Sequence, residues 1–266
     1  MPELPDVELF RRRLSATSLR RRVVSVRGSD RRLVAPLAPK TFARKLNGRR
    51  FVSARRYGKY LFVRLDKGGW LALHFGMTGD LRYVRRGAAS PAFARLLFEF
   101  ADGGRLVFAD RRRLGRLRFV ADTDDFIAAQ RLGPDALSGK ANLRVFKATL
   151  KTRQCGVKSA LMDQGAIAGV GNIYSDEILF QAGIKPKRSA RTLEDKEIAR
   201  IFRQMKRVLR TAIARGAGSE QLSERLPPSF LLRHRVKGGK CPRCHRPFRT
   251  LKLGGRTGYY CGHCQS

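Results

Sequence analysis

The sequence is poor in acid. Its 266 residues hold 21 Asp and Glu against 57 Lys and Arg, a formal charge of +36. Charge on that scale repels itself, so a polyanionic partner is the economical way to neutralise it. Long hydrophobic runs are missing as well: no stretch of about 18 apolar residues occurs, which excludes a membrane-spanning helix. Arg11, Arg12 and Arg13 break the N-terminus before an apolar signal core can form, so a cytoplasmic protein is expected, nucleoid-associated if bacterial. Cysteine is sparse, with five in the chain. In that compartment they are reduced or metal-bound. Nor does a Gly-Lys-Ser/Thr follow the glycine-rich stretch at 165–172, which removes the Walker route to nucleotide hydrolysis. What remains, 42% apolar and 29% charged residues, fits a folded globular protein.

The chain starts Met1-Pro2-Glu3-Leu4-Pro5-Asp6-Val7-Glu8. Removal of Met1 would uncover a secondary amine at Pro2 beside the Glu3 carboxylate. An α-amine titrates near ~8, so part of it is nucleophilic at neutral pH. Such an amine can form an iminium with an electrophilic carbon. Taken alone, two prolines at a terminus are more simply read as stiffening, and the rest of the chain decides between the two.

From Asp6 to about Thr17 the spacing of Val7, Leu9, Phe10 and Leu14 predicts an amphipathic helix. Short β-rich runs follow: 22–27, 51–53, 60–65, 70–75, 81–84, 96–100, 105–109 and 116–120. Glycine and aspartate punctuate them, which predicts a β-sandwich or barrel over residues 1–125. Three clusters within it carry candidate chemistry: Tyr57-Gly58-Lys59-Tyr60, His74-Phe75-Gly76-Met77-Thr78-Gly79, and Asp110-Arg111-Arg112-Arg113-Leu114-Gly115. Each alone is an ordinary strand or hairpin. Loops that repeatedly join Met or Leu to Arg, however, suit insertion into a base stack with flanking phosphates held.

Beyond Asp124 the pattern turns helical, over 126–232. Helices are predicted at 142–152, 158–162, 172–180 and 192–215, with Asn172 as an N-cap and Asp176 and Glu177 in the first turns of its helix. The loop rich in Gly165, Gly169 and Gly171 then feeds a helix N-terminus, a ready phosphate site. The last long helix has a core stripe from Ile198 to Ile213, and Gly216 ends it. Residues 216–232 read as a mobile connection with at most a short helix at 220–226. The third unit, 233–266, carries Cys241-x₂-Cys244 and Cys261-x₂-Cys264, a spacing for one structural Zn²⁺ held by four thiolates. Residues 248–260 between the pairs read as a β-hairpin with Arg256 at its turn.

These motifs, in this order over the whole chain, resemble the formamidopyrimidine-DNA glycosylase family, which includes the endonuclease VIII branch. The Leu-Pro start and His74-x-Gly-Met-x-Gly79 are closer to the formamidopyrimidine branch. The resemblance implies an α+β multidomain protein: an N-terminal β-sandwich, a helix-two-turn-helix domain and a C-terminal four-cysteine zinc finger. It implies a bifunctional glycosylase and AP lyase of base excision repair, acting on damaged double-stranded DNA as a monomer. In that reading Pro2 is the nucleophile, Glu3 transfers protons, Lys59 acts as acid or phosphate contact during β-elimination and Arg256 assists the second elimination. Arg256, Lys158 and Asn172 clamp flanking phosphates, with Arg153 and His74 as further contacts, while Met77, Arg112 and Leu114 fill the gap left by the extruded base. Asp6 stands where the family has Glu, Arg111 where it has Pro, Leu114 where it has Phe, and Phe93 and Arg95 where it has His-x-His. Around His234–Val236 the family's Tyr-Gly-Arg is replaced. Those departures leave open the choice among oxoguanine, formamidopyrimidines, oxidised pyrimidines and abasic sites. The other readings are a DNA-binding protein without turnover and a zinc-ribbon RNA-binding protein; the intact Pro2, Glu3 and Lys59 favour the enzyme.

Overall fold

The structure, a computed structural model, describes residues 1–28, 30–218 and 223–266. The chain divides into two compact units, one of Met1–Pro2 and Asp6–Gln130, the other of Glu3–Pro5 and Arg131–Ser266. The zinc-finger residues therefore cluster with the helices in the second unit.

The first unit is a sandwich of two antiparallel sheets. Its elements in order are helix α1 (Leu4–Thr17), strand β1 (Val23–Arg27), helices α2 (Arg31–Val34) and α3 (Pro39–Leu46), strands β2 (Phe51–Tyr57), β3 (Tyr60–Leu65), β4 (Trp70–His74), β5 (Gly79–Val84), β6 (Ala94–Phe100), β7 (Arg105–Asp110) and β8 (Arg116–Val120), and helix α4 (Thr123–Ala129). One sheet runs β1-β6-β7-β5 and the other β2-β3-β4-β8. Strand β6 shows the period of two that faces a core, with Leu96, Phe98 and Phe100 buried. Phe51 joins the sheets edge-on to Phe98 and Phe100, at centroid distances of 5.7 and 6.0 Å. Phe75 stacks on Phe108 at 5.4 Å and meets Phe10 of α1 at 4.6 Å. Each fully buried Phe or Leu of this kind stabilises the fold by about 1.5–3 kcal/mol.

All eight runs read as strands are strands. The helical segment 31–46 was not expected. Two signals for it lie in the sequence: Pro39 at the first turn of α3, and Phe42 with Leu46, both buried and one turn apart. Helix α1 starts at Leu4 rather than Asp6.

The second unit holds α5 (Leu143–Lys151), α6 (Val157–Met162), α7 (Asn172–Ala182), α8 (Asp195–Ala214), two short 3-10 turns at Ser223–Arg225 and Leu231–His234, and the hairpin β9 (Arg249–Leu253) with β10 (Arg256–Tyr260). Ile198, Ile201, Met205, Val208, Leu209 and Ala212 of α8 are fully buried. This helix begins at Asp195, not Thr192, because Glu194 and Glu197 form a reciprocal capping box. Gly216, at φ +63°, follows its end. Of the short helix expected at 220–226, residues 220–222 lie outside the described residues, and Ser223–Arg225 form a 3-10 turn.

Candidate active site and nucleic-acid interface

In the first unit Pro2 follows Met1 and is half-buried. Lys59 occupies the two-residue turn between β2 and β3, where Gly58 takes φ +54° and Tyr57 pairs with Tyr60. It is largely buried. His74 lies on the neighbouring strand opposite Tyr60, 4.9 Å away ring to ring. Burial first, and then the charges of Lys59 and Arg116, hold His74 down at about 4. It is therefore a neutral imidazole at physiological pH, and its Nδ1 accepts the Gly76 amide at 3.3 Å.

After His74 the chain makes the turn that carries Met77 half-buried, and after β7 the loop that carries Arg112 and Leu114 exposed. Leu114 is 41% exposed, free to meet a partner from the tip of a basic loop.

The second unit is built around the start of α7. Asn172 is not its N-cap: Gly171 is, and Gly171 has no side chain to cap with. The missing acceptor comes from Glu3. Its fully buried carboxylate receives the amides of Gly171 at 2.7 Å, Ile173 at 2.8 Å and Tyr174 at 3.2 Å. The Leu4 amide donates to the Gly169 carbonyl at 3.0 Å. Gly169 is at φ +117°, and a Cβ there would stand 2.5 Å from the Leu4 side chain, so this loop can close over Leu4 only as glycine.

Lys158, expected to meet phosphate, is fully buried. Its ammonium donates to Asp176 at 2.6 Å, Ser175 at 2.9 Å and the Asn172 carbonyl at 2.8 Å. Lys158, expected to clamp a flanking phosphate with Arg256 and Asn172, has its three donors engaged by protein groups in this structure. Asp176 and Glu177 were expected in the first turns of α7 as partners of its dipole. Both lie in its second turn, within the expected stretch, but they are buried and engaged by protein groups rather than exposed beside the helix start. Asp176 also receives Arg235 Nε at 3.1 Å and the Tyr259 amide of β10 at 3.0 Å. Burial pushes the Asp176 carboxyl up and the Lys158 ammonium down, and their mutual attraction opposes both shifts.

These contacts dock the zinc hairpin on α7. The Thr257 carbonyl accepts Asn172 Nδ2 at 3.0 Å and Arg235 at 2.9 Å. A Cβ on Gly258 would stand 3.0 Å from Lys158 Cε. Arg256, next to Thr257, is exposed at the hairpin turn, where Gly254 and Gly255 both have positive φ. The second unit thus brings Glu3, Lys158, Asn172 and the strand bearing Arg256 together. Arg153, just beyond α5, pairs with Asp163 at 3.0 Å.

Cys241, Cys244, Cys261 and Cys264 have their sulfurs within 4.8 Å of one another. The pairs Cys241–Cys264 and Cys244–Cys261 stand 3.9 and 3.5 Å apart. Tetrahedral Zn²⁺ with Zn–S near 2.3 Å needs sulfurs about 3.8 Å apart, so the four thiolates fit the ion. Amides of Arg243 and Cys264 point at Cys241 and Cys261 sulfurs at 3.4 Å. Such outer contacts hold metal ligands in place.

In the sequence Asp110 stands out only as the first residue of a basic loop and Arg235 only as a departure from the family pattern; neither the bonds they make nor the burial of Asp176 was foreseen. A signal for Asp176 was available: the adjacent acids Asp176 and Glu177 run directly into the apolar stretch Ile178-Leu179-Phe180.

Residues 1–117 match the family model of the formamidopyrimidine-DNA glycosylase N-terminal domain. Residues 132–224 match that of the formamidopyrimidine-DNA glycosylase H2TH domain, and residues 238–266 that of the zinc finger found in these enzymes and in isoleucyl-tRNA synthetase. The chain belongs to the formamidopyrimidine-DNA glycosylase family. Among similar proteins is the formamidopyrimidine-DNA glycosylase of Geobacter metallireducens, 36% identical over 272 residues with both chains fully covered. That of Pelotomaculum thermopropionicum is 34% identical over 275 residues, covering 100% of this chain and 99% of the relative. A crystal structure of the Lactococcus lactis enzyme with DNA containing a formamidopyrimidine-dG superposes with a TM-score of 0.87, at 27% identity and 99% coverage of each chain. A second, bound non-covalently to DNA with an AP site, has a TM-score of 0.87 at 26% identity, again covering 99% of each.

Proposed function

We propose that this protein is a bifunctional DNA glycosylase and AP lyase of base excision repair. It removes oxidised or ring-opened bases from double-stranded DNA as a monomer, in the cytoplasm or on the nucleoid. With Met1 removed, the Pro2 nitrogen attacks C1′ of the damaged nucleotide. The glycosidic bond breaks, the base leaves with a proton, and loss of the amine proton with opening of the sugar ring gives an iminium. Loss of a C2′ proton then expels the 3′ phosphate, and a second elimination expels the 5′ phosphate. Glu3 serves the proton transfers at the sugar, Lys59 the first elimination and Arg256 the second. Met77, Arg112 and Leu114 occupy the stack and face the orphaned base. Arg153, Asn172 and His74 contact the backbone, His74 as a neutral hydrogen-bonding group rather than a cation. Lys158 acts from within, as a positioning residue for Asn172 and the hairpin.

The observation that carries this reading is the burial of Glu3 at the glycine-rich start of α7. Three amides hold the carboxylate that follows Pro2 in one place, which suits proton transfer beside a nucleophile and caps α7 as well. Among the described residues no helix is long and apolar enough to cross a membrane. Incubation with duplexes carrying a formamidopyrimidine, oxoguanine, an oxidised pyrimidine or an abasic site tests the proposal. Strand breaks bearing phosphate at both ends, lost in Pro2→Gly, are expected. Failure to cleave any of them would leave a DNA-binding protein without turnover.

A further inference from the structure

One carboxylate joins the two loops that present Met77 and Arg112–Leu114. Asp110, at the end of β7, is 1% exposed. Its Oδ1 accepts the Thr78 hydroxyl at 2.5 Å and the Arg112 amide at 3.1 Å. Its Oδ2 accepts the amides of Leu114 and Gly115, each at 2.8 Å. The Thr78 oxygen receives the Arg112 amide in turn, at 3.0 Å. Behind this the backbones touch: Gly76 sits at φ +56°, and a Cβ on it would stand 2.6 Å from the Leu114 carbonyl carbon. A third segment is tied in as well, because the Asp110 amide donates to the Phe93 carbonyl at 3.0 Å and Arg95 Nε donates to the Asp110 carbonyl at 2.9 Å.

A loop of three consecutive arginines and an exposed leucine has little apolar contact of its own to order it. Here three of its amides are consumed by one buried carboxylate, so the loop is held in shape before any DNA arrives. Ordering beforehand lowers the entropy lost on binding and fixes where a probing side chain arrives. We propose that Asp110 is a positioning residue that fuses loops 75–79 and 110–115 into one probe, and that it thereby sets how the base opposite the lesion is read. The proposal rests on the reading of Met77, Arg112 and Leu114 as the gap-filling residues.

The test compares duplex with single-stranded substrates. A merely structural carboxylate affects both alike, whereas a single strand has no opposite base for the probe to meet. Asp110→Asn replaces an acceptor with an N–H₂ that opposes the Leu114 and Gly115 amides. Thr78→Val keeps the carboxylate and removes only the link between loops, so it carries the test if Asp110→Asn does not fold. Readouts are incision of an abasic site placed opposite each base, incision of the same site in single-stranded DNA, and 2-aminopurine fluorescence opposite a tetrahydrofuran site. Both variants are expected to lose about tenfold in kcat/KM on duplex and to flatten the preference among opposite bases, while single-stranded incision stays within about threefold. The 2-aminopurine response is expected to fall in both variants and in Leu114→Ala alike. Unchanged opposite-base preference and fluorescence in the folded variants, with Leu114→Ala altering both, overturns the role of Asp110 alone. If Leu114→Ala changes neither, the gap-filling reading fails and this proposal with it.

Discussion

The Glu3 carboxylate accepts the backbone amide of Ile173 at 2.8 Å, across 170 residues of sequence. The residue beside the proposed nucleophile is thus the N-terminal cap of α7. Capping carboxylates are favoured by the exposed amides and the dipole of a helix start. Position 3 therefore has a folding role as well as a proposed chemical one.

Glu3→Gln should reveal both. The amide offers one accepting oxygen where the carboxylate offered two, leaving at least one buried amide of Gly171, Ile173 or Tyr174 unmet. A loss of about 1–3 kcal/mol is expected in denaturant unfolding, together with loss of base excision. Unchanged stability would mean that the cap is dispensable.

Glu177 gives stability a pH dependence of unusual sign. Burial raises its carboxyl from 4.5 to about 7, against hydrogen bonds from Gln181 and the Leu232 amide. The folded state therefore holds this proton more tightly than the unfolded state. The group's favourable contribution is complete below about 4.5 and is lost as pH rises to about 7, a fall of roughly 3 kcal/mol. Glu177→Gln keeps an accepting oxygen and should flatten that part of the profile, raising stability at pH 8 relative to the parent. Unfolding curves between pH 5 and 8 check it.

The Lys158–Asp176 pair should be costly to break and cheap to replace. Asp176→Ala strands two cations, Lys158 and Arg235, and should cost about 3–5 kcal/mol. Replacing both members by apolar residues, as in Lys158→Met with Asp176→Leu, should recover part of that loss. Because Asp176 also holds the Tyr259 amide, Asp176→Ala is expected to weaken DNA binding through the displaced hairpin. Equal stability losses in the single and double variants would contradict the pairing.

Zinc removal should act on one unit. Chelation, or Cys261→Ser with zinc content measured by mass spectrometry, is expected to loosen the hairpin and lower DNA affinity. The sandwich around Phe51, Phe75 and Phe98 should keep its thermal transition. Unchanged affinity of metal-free protein would make the finger dispensable.

The architecture was legible where the signal is local. Four cysteines at x₂ spacing, the alternation in β6 and the stripe of α8 each fit within one short window, and the sandwich, helices and finger follow from them. What stayed hidden depends on partners distant in sequence. Asn172 looks like a cap because nothing near it reveals that a residue 169 positions earlier caps the helix from outside (the Glu3–Gly171 and Glu3–Ile173 separations are 168 and 170). Lys158 reads as a surface cation until Asp176 and Arg235 close on it. Asp110 reads as the first residue of a basic loop, and only the β5–β7 register, which sets Gly79 against Asp110, brings the Thr78 loop to its carboxylate.

The central claim is that the Pro2 nitrogen is the nucleophile. Borohydride reduction during incubation with an abasic-site duplex, followed by proteolysis and mass mapping of the adduct, tests it most directly. The account expects one covalent adduct, on the N-terminal peptide beginning at Pro2, and none in protein whose terminus is blocked by a tag. An adduct mapped to Lys59 or another lysine, or none with any lesion, would contradict it.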